Sequence, residues 1–161
     1  DRSSGIQMTS TPRASGLIRA FAVIGKENQP LYVQTYTLDS KEDRQISLHY
    51  HIHSSLDIVE EKVSAGKKAY PNARDLYLGQ LFVIEQYALY GYSTNTKVKF
   101  ILLIQGSAAN NTVKSWLREL HDLYIHTISN PFVELIGGNG LMTSSFRASV
   151  NTRVAAFNRQ K

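Results

Sequence analysis

The sequence contains no cysteine. That excludes a disulfide framework, a thiolate metal site and a cysteine nucleophile. No window approaches the ~18 to 20 consecutive apolar residues of a membrane-spanning helix. No positively charged stretch followed by an apolar run lies near the N-terminus, so no secretory signal is expected. Internal repeats are absent. Acidic residues are missing from positions 135–161, which hold Arg147, Arg153, Arg159 and Lys161 and so carry +4. Residues 1–19 carry +2, which leaves −1 of the net +5 on the body, 20–134. A nucleic-acid surface interleaves basic residues with aromatics across one face. Basic termini around a nearly neutral body do not, and no nucleic-acid partner is expected. At most, the basic ends would attract an anionic membrane surface peripherally.

What is present is enough apolar content for one core: 42% of 161 residues. Residues 1–16, DRSSGIQMTSTPRASG, are rich in Ser, Thr, Gly and Arg and are expected to form a disordered tail. The chain opens on Asp1 rather than methionine, so part of this tail reads as an appended sequence, with Met8 available as a start. Residues 17–161 are expected to form a single domain.

The segment Tyr87 to Gln105, YALYGYSTNTKVKFILLIQ, reads as two strands joined by a tight turn at Asn95-Thr96. Its second half holds the unbroken run Phe100-Ile101-Leu102-Leu103-Ile104. A half-exposed strand would alternate, so this one needs cover on both faces. Leu17 to Ile24 reads as another buried strand, and Leu31 to Thr37 pairs with it across GKENQP. Ser47 is a candidate cap for a helix running to about Ala65, with Leu48, Ile52, Leu56, Val59 and Val63 as one stripe. Gly66 suits its left-handed end, and Lys67 and Lys68 the negative end of its dipole. Strands follow at about 77–85, 87–94 and 97–104. Asn111 or Thr112 would cap a helix carrying Val113, Trp116, Leu117, Leu120, Tyr124 and Ile128, which Pro131 stops. After Gly137-Gly138-Asn139-Gly140 a last helix carries Phe146, Val150, Val154 and Phe157. The expected architecture is α+β, in the order β-β-α-β-β-β-α-α.

Reactive constellations are weak. His49, His53 and Asp57 are spaced i, i+4, i+8, and helical His pairs at i, i+4 do bind zinc in H-E-x-x-H. Here Tyr50 takes the place of the general-base glutamate, so a solvated helix flank is the better reading. GYSTN at 91–95 misses G-x-S-x-G at Asn95, and Ser93 lies within a strand rather than on an elbow. GGNG at 137–140 follows a helix and a loop, without the G-K-[ST] of a phosphate loop. Asp57, Glu60 and Glu61 lie off the apolar stripe, a pattern better suited to binding than to acid–base work. Asn130-Pro131-Phe132 reads as a helix stop. No catalytic residue, metal or cofactor is expected.

Five segments, in order, resemble the sedlin-like small subunits of TRAPP, the transport protein particle complex. They are FAVIGKENQPLY at 21–32, HSSLDIVEEKV at 53–63, LYLGQL at 76–81, YGYSTNTKVKFILL at 90–103 and SNPF at 129–132, within about 18–158. The resemblance implies a longin-like (profilin-like) fold: a five-stranded antiparallel sheet, the first helix on one face, the last two on the other. It also implies a non-enzymatic role in a complex that tethers vesicles in ER–Golgi and Golgi traffic and activates Rab GTPases by nucleotide exchange. The implied partners are other TRAPP subunits, small and scaffold, and indirectly a Rab GTPase. The implied location is cytoplasmic and peripheral on those membranes. Asp57, in the S-L-D word, matches a family position on the exposed side of the first helix and is the candidate partner contact. His53 and Glu61 share that flank by helical spacing. The long tail, the extended loop 37–46 and the GGNG connection depart from the family pattern, which bears on the choice of neighbour. SNARE longin domains and small adaptin coat subunits share the fold and form the competing class; a small adaptin, however, opens with its KFILL-like strand.

Overall fold

A computed structural model describes residues 16–36, 42–69, 71–72, 75–129 and 144–159. The tail before Gly16, residues 37–41 of the loop read at 37–46, Asn130-Pro131-Phe132 and the GGNG connection lie outside the described residues; 42–46 of that loop are helical. The elements are β1 (Leu17–Ile24), β2 (Pro30–Thr35), α1 (Glu42–Ser54), α2 (Leu56–Ala69), β3 (Asp75–Ile84), β4 (Tyr87–Thr94), β5 (Lys99–Gln105), α3 (Asn110–Ile128) and α4 (Ser144–Arg159). The strands form one antiparallel sheet in the order β2-β1-β5-β4-β3.

Strand β5 is central, and its apolar run is covered on both sides, as its lack of alternation requires. Phe100, Leu102 and Ile104 join a cluster with α3 and α4. Ile101 and Leu103 join a second cluster with α1 and α2. All five side chains are fully buried. Strand β1 alternates between the two layers, with Ile18 on the α3–α4 side and Ile24 on the α1–α2 side. Phe21 and Val23 face α3 and α4, while Ala20 and Ala22 face α1 and α2. The α3–α4 side holds an aromatic layer in which Phe21 stacks on Phe100 at 6.1 Å and meets Trp116 edge-on at 5.3 Å. Offset and edge-on rings of this kind add to area burial. On the other face Gly91 leaves room for Leu81; a Cβ there would stand 3.1 to 3.3 Å from the Leu81 side chain.

Several boundaries differ from the expectation. The first helix divides into α1 and α2 at Ser55, a fully buried residue whose Oγ donates to the Ile52 carbonyl at 2.6 Å. The helical bonds nevertheless continue: Ser55 N–H donates to the His51 carbonyl, and Val59 N–H to the Ser55 carbonyl. The apolar stripe therefore stays in phase, with Leu48, Ile52, Leu56 and Val59 buried and Val63 packed beside them. The helical run begins at Glu42, before Ser47, and passes Gly66 to end at Ala69; Lys67 and Lys68 lie in its last turn. Strand β2 ends at Thr35, and its register with β1 slips at Leu31. As the extra residue there, Leu31 packs on the same side as Tyr32 rather than opposite it. Ala109, not Asn111 or Thr112, is the N-cap of α3, and no side chain caps it. Ile128 is 48% exposed although it continues the core periodicity. It stands in the last turn of α3, one turn beyond the last core residue of that helix, Tyr124.

Both sheet edges discourage further pairing. β2 is short and begins at Pro30. The register of β3 shifts between Tyr77 and Gly79 (φ 73°) and again between Gln80 and Phe82, and Lys62 Nζ donates to the Gln80 carbonyl at 2.8 Å. Tyr77, on β3, donates to Asn110 Oδ1 at 3.2 Å. Burial, with Tyr90 nearby, pushes its phenol up to about 12. Burial likewise raises Tyr36, Tyr32 and Tyr124.

Two consequences can be measured. Leu103→Ala should cost about 2–5 kcal/mol in urea unfolding, because a fully buried site loses both transfer energy and packing. Val83→Ala, 57% exposed on edge strand β3, should stay within about 0.5 kcal/mol. The tyrosines act in alkali. Above about pH 10 the unfolded chain ionises its phenols while the folded chain keeps them protonated, so unfolding releases protons and stability falls with rising pH. The loss begins near pH 10 and, for Tyr77, continues to about pH 12. Tyr77→Phe should therefore reduce the stability lost between those pH values relative to the unsubstituted chain, read from urea unfolding at each pH.

Candidate functional site

The α1–α2 run has a second stripe, on the side away from the sheet. Ile46, Tyr50, His53, Asp57 and Glu61 follow one another at spacings of 4, 3, 4 and 4, and all are exposed. Because hydrogen bonding carries through Ser55, these spacings keep the five on one line. The three residues singled out in the sequence, His53, Asp57 and Glu61, are thus brought together as expected. Ile46 and Tyr50 extend the line. They are 67% and 69% exposed, unusual for large apolar side chains on a helix whose other face already fills the core. Sequence reasoning missed both; the signal available was their offset from the Leu48–Ile52 stripe.

The line is polarised along its length. Its N-terminal half is apolar and its C-terminal half acidic, with His53 between. Glu60 belongs elsewhere. It accepts from Asn28 Nδ2 at 3.2 Å and lies 3.9 Å from Lys99 Nζ. Lys99, only 6% exposed, also donates to Asn28 Oδ1. Asn28 adopts φ 62° in the β1–β2 turn, where asparagine is tolerated. This network ties α2 to the sheet. The ion pairs among the described residues involve Glu60 and Glu119, not Asp57 or Glu61. The two outer carboxylates therefore remain available to a partner.

The remaining candidates fall into place individually. His49 is exposed beside the stripe, and among the described residues no three His, Asp or Glu side chains converge as a metal site would require. Ser93 is buried in β4, and its hydroxyl donates to the Thr94 carbonyl at 3.4 Å. Among the described residues no helix is long and apolar enough to cross a membrane.

An antiparallel sheet with the α1–α2 pair on one face and α3 and α4 on the other defines a longin-like α+β domain. Its family follows from comparison. The sedlin family profile matches residues 23–155, and the chain belongs to that family. It is 40% identical over 134 residues to the trafficking protein particle complex subunit 2-like protein of Taeniopygia guttata, spanning 81% of this chain and 92% of that protein. The protein of the same name from Mus musculus is 44% identical over 114 residues, 69% of this chain and 79% of that one. The Dictyostelium discoideum protein of that name is 40% identical over 113 residues, with the same coverage.

The division between Glu60 and its neighbours can be tested on stability alone. Asn28→Gly should cost about 1 kcal/mol through lost hydrogen bonds, and Asn28→Ala about 1 more through left-handed strain. Asp57→Asn and Glu61→Gln should stay within about 0.5 kcal/mol in the same urea titrations.

Proposed function

We propose that this chain is a non-catalytic adaptor and assembly subunit of a transport protein particle complex. In this reading the complex tethers vesicles in ER–Golgi and intra-Golgi transport and exchanges nucleotide on a Rab GTPase, while this subunit holds no exchange site. The observation that carries the reading is the similarity to relatives of that name over most of their own length. The protein would work in the cytoplasm, reaching membranes peripherally through its complex.

The docking residues proposed are His53, Asp57 and Glu61, together with Ile46 and Tyr50. Interfaces take their energy from a few desolvated anchors, tyrosine prominent among them, ringed by polar contacts. Tyr50 and Ile46 supply the apolar anchor. Asp57 and Glu61 select a partner that presents lysine or arginine at the matching end. The polarity of the line fixes the partner's direction along the helix.

A tagged chain purified from its native cells should recover other subunits of the complex. The double variant Tyr50→Ala, Asp57→Lys should reduce that recovery about tenfold or more, with unchanged melting temperature. Repeated recovery of none of these subunits by the unsubstituted chain would end the adaptor reading. Normal recovery by the variant would leave that reading in place and remove the α1–α2 face from it.

A further inference from the structure

The opposite side of the molecule carries a second apolar surface. On α3 the core residues end at Tyr124, and beside that stripe Ile125 and Ile128 stand 44% and 48% exposed. Across from them is the tip of the β4–β5 hairpin, Thr94 to Thr96. Between the two lies a groove of about 340 Å³, lined as well by His121, Asp122 and Tyr124.

Its walls are firmly held. Thr94 N–H donates to the Val98 carbonyl at 2.9 Å, and Val98 N–H donates to Thr94 Oγ1 at 3.1 Å. The hydroxyls of Thr94 and Thr96 are 3.0 Å apart, within hydrogen-bond reach. Below, Tyr92 Oη and His121 Nδ1 are 3.1 Å apart, and Phe100 packs against the rings of both His121 and Tyr124. A groove formed in advance spares a ligand the ordering cost of shaping it.

We propose that this groove docks a segment of a second, different polypeptide. The segment inserts one apolar side chain between the Thr94–Thr96 tip and Ile125 with Ile128, and sets a lysine or arginine beside Asp122. The exposed isoleucines supply the apolar contact, and the threonine and asparagine rim offers hydrogen bonds to the segment's backbone. Asp122 is the carboxylate among the groove's described lining residues, and it selects a cation. The same charge opposes a second copy seated by twofold symmetry, which would bring two Asp122 carboxylates toward each other. The groove lies on the α3–α4 side of the sheet and the Ile46–Glu61 line on the other. Two docking surfaces on opposite sides let one small subunit join two neighbours.

The test uses the full chain with photoreactive p-benzoylphenylalanine at Ile128, purified from its native cells with the complex it forms. Irradiation should yield a crosslinked peptide from a different polypeptide, with an apolar residue within two positions of a lysine or arginine. A synthetic peptide of that sequence should bind the purified chain. Asp122→Lys should weaken that binding at least tenfold, about 1.4 kcal/mol, without lowering the melting temperature. Ile128→Ser, at an exposed position, should do the same and serves if the first variant folds poorly. Crosslinks confined to a second copy, or none, would overturn the proposal. So would a captured peptide without a basic residue, or binding indifferent to both variants. The identity of the captured polypeptide bears separately on the adaptor reading: a partner from outside the transport protein particle complex would count against that reading while leaving the groove's role intact.

Discussion

Strand β5 sets Phe100, Leu102 and Ile104 against one helical layer and Ile101 and Leu103 against the other, with no exposed side. A strand this apolar cannot be left half-covered, because each fully buried aliphatic side chain is worth about 1.5–3 kcal/mol relative to exposure. The neighbours in the sheet, β1 and β4, inherit the same two-sided burial. Ala20 and Ala22 seat the α1–α2 pair on one side, and the aromatic layer of Phe21, Phe100 and Trp116 holds α3 and α4 on the other. The three-layer arrangement follows from that one strand.

The same constraint moves function outward. Among the described residues both sheet faces are consumed by packing and both sheet edges discourage further pairing. Chemistry is left to the surfaces that the helices turn away from the sheet. Two of these carry exposed apolar side chains beside exposed acids: the Ile46–Glu61 line and the groove between α3 and the hairpin tip. Such surfaces fit the adaptor role proposed above, because binding energy comes from a few anchors rather than from total area.

Much of the fold was legible from periodicity. Leu17–Ile24 and Tyr87–Thr94 coincide with the expected strands, and the stripes Leu48–Ile52–Leu56–Val59 and Phe146–Val150–Val154–Phe157 are buried as their spacing requires. The misreadings have local causes. Gly66 looked like a helix end but sits within α2. Strict alternation puts Leu31 and Tyr32 on opposite faces, whereas the bulge sets both on the same one. Ile128 obeyed the helical period yet lies in the turn beyond Tyr124 and is half exposed. Periodicity reports which residues share a face. It does not report how far the opposing surface extends.

The sequence by itself determined that the central strand must be covered on both sides, that two sets of amphipathic helices would cover it, and that His53, Asp57 and Glu61 would share a flank. These are properties of spacing along one chain segment. Only the tertiary structure decided that Glu60 is tied to Asn28 and Lys99 while Glu61 is free of that network. It alone brought Ile125 and Ile128 opposite the Thr94–Thr96 tip. Each of these depends on which distant segments meet, and contacts between residues far apart in sequence are fixed by packing of the whole sheet rather than by any local pattern.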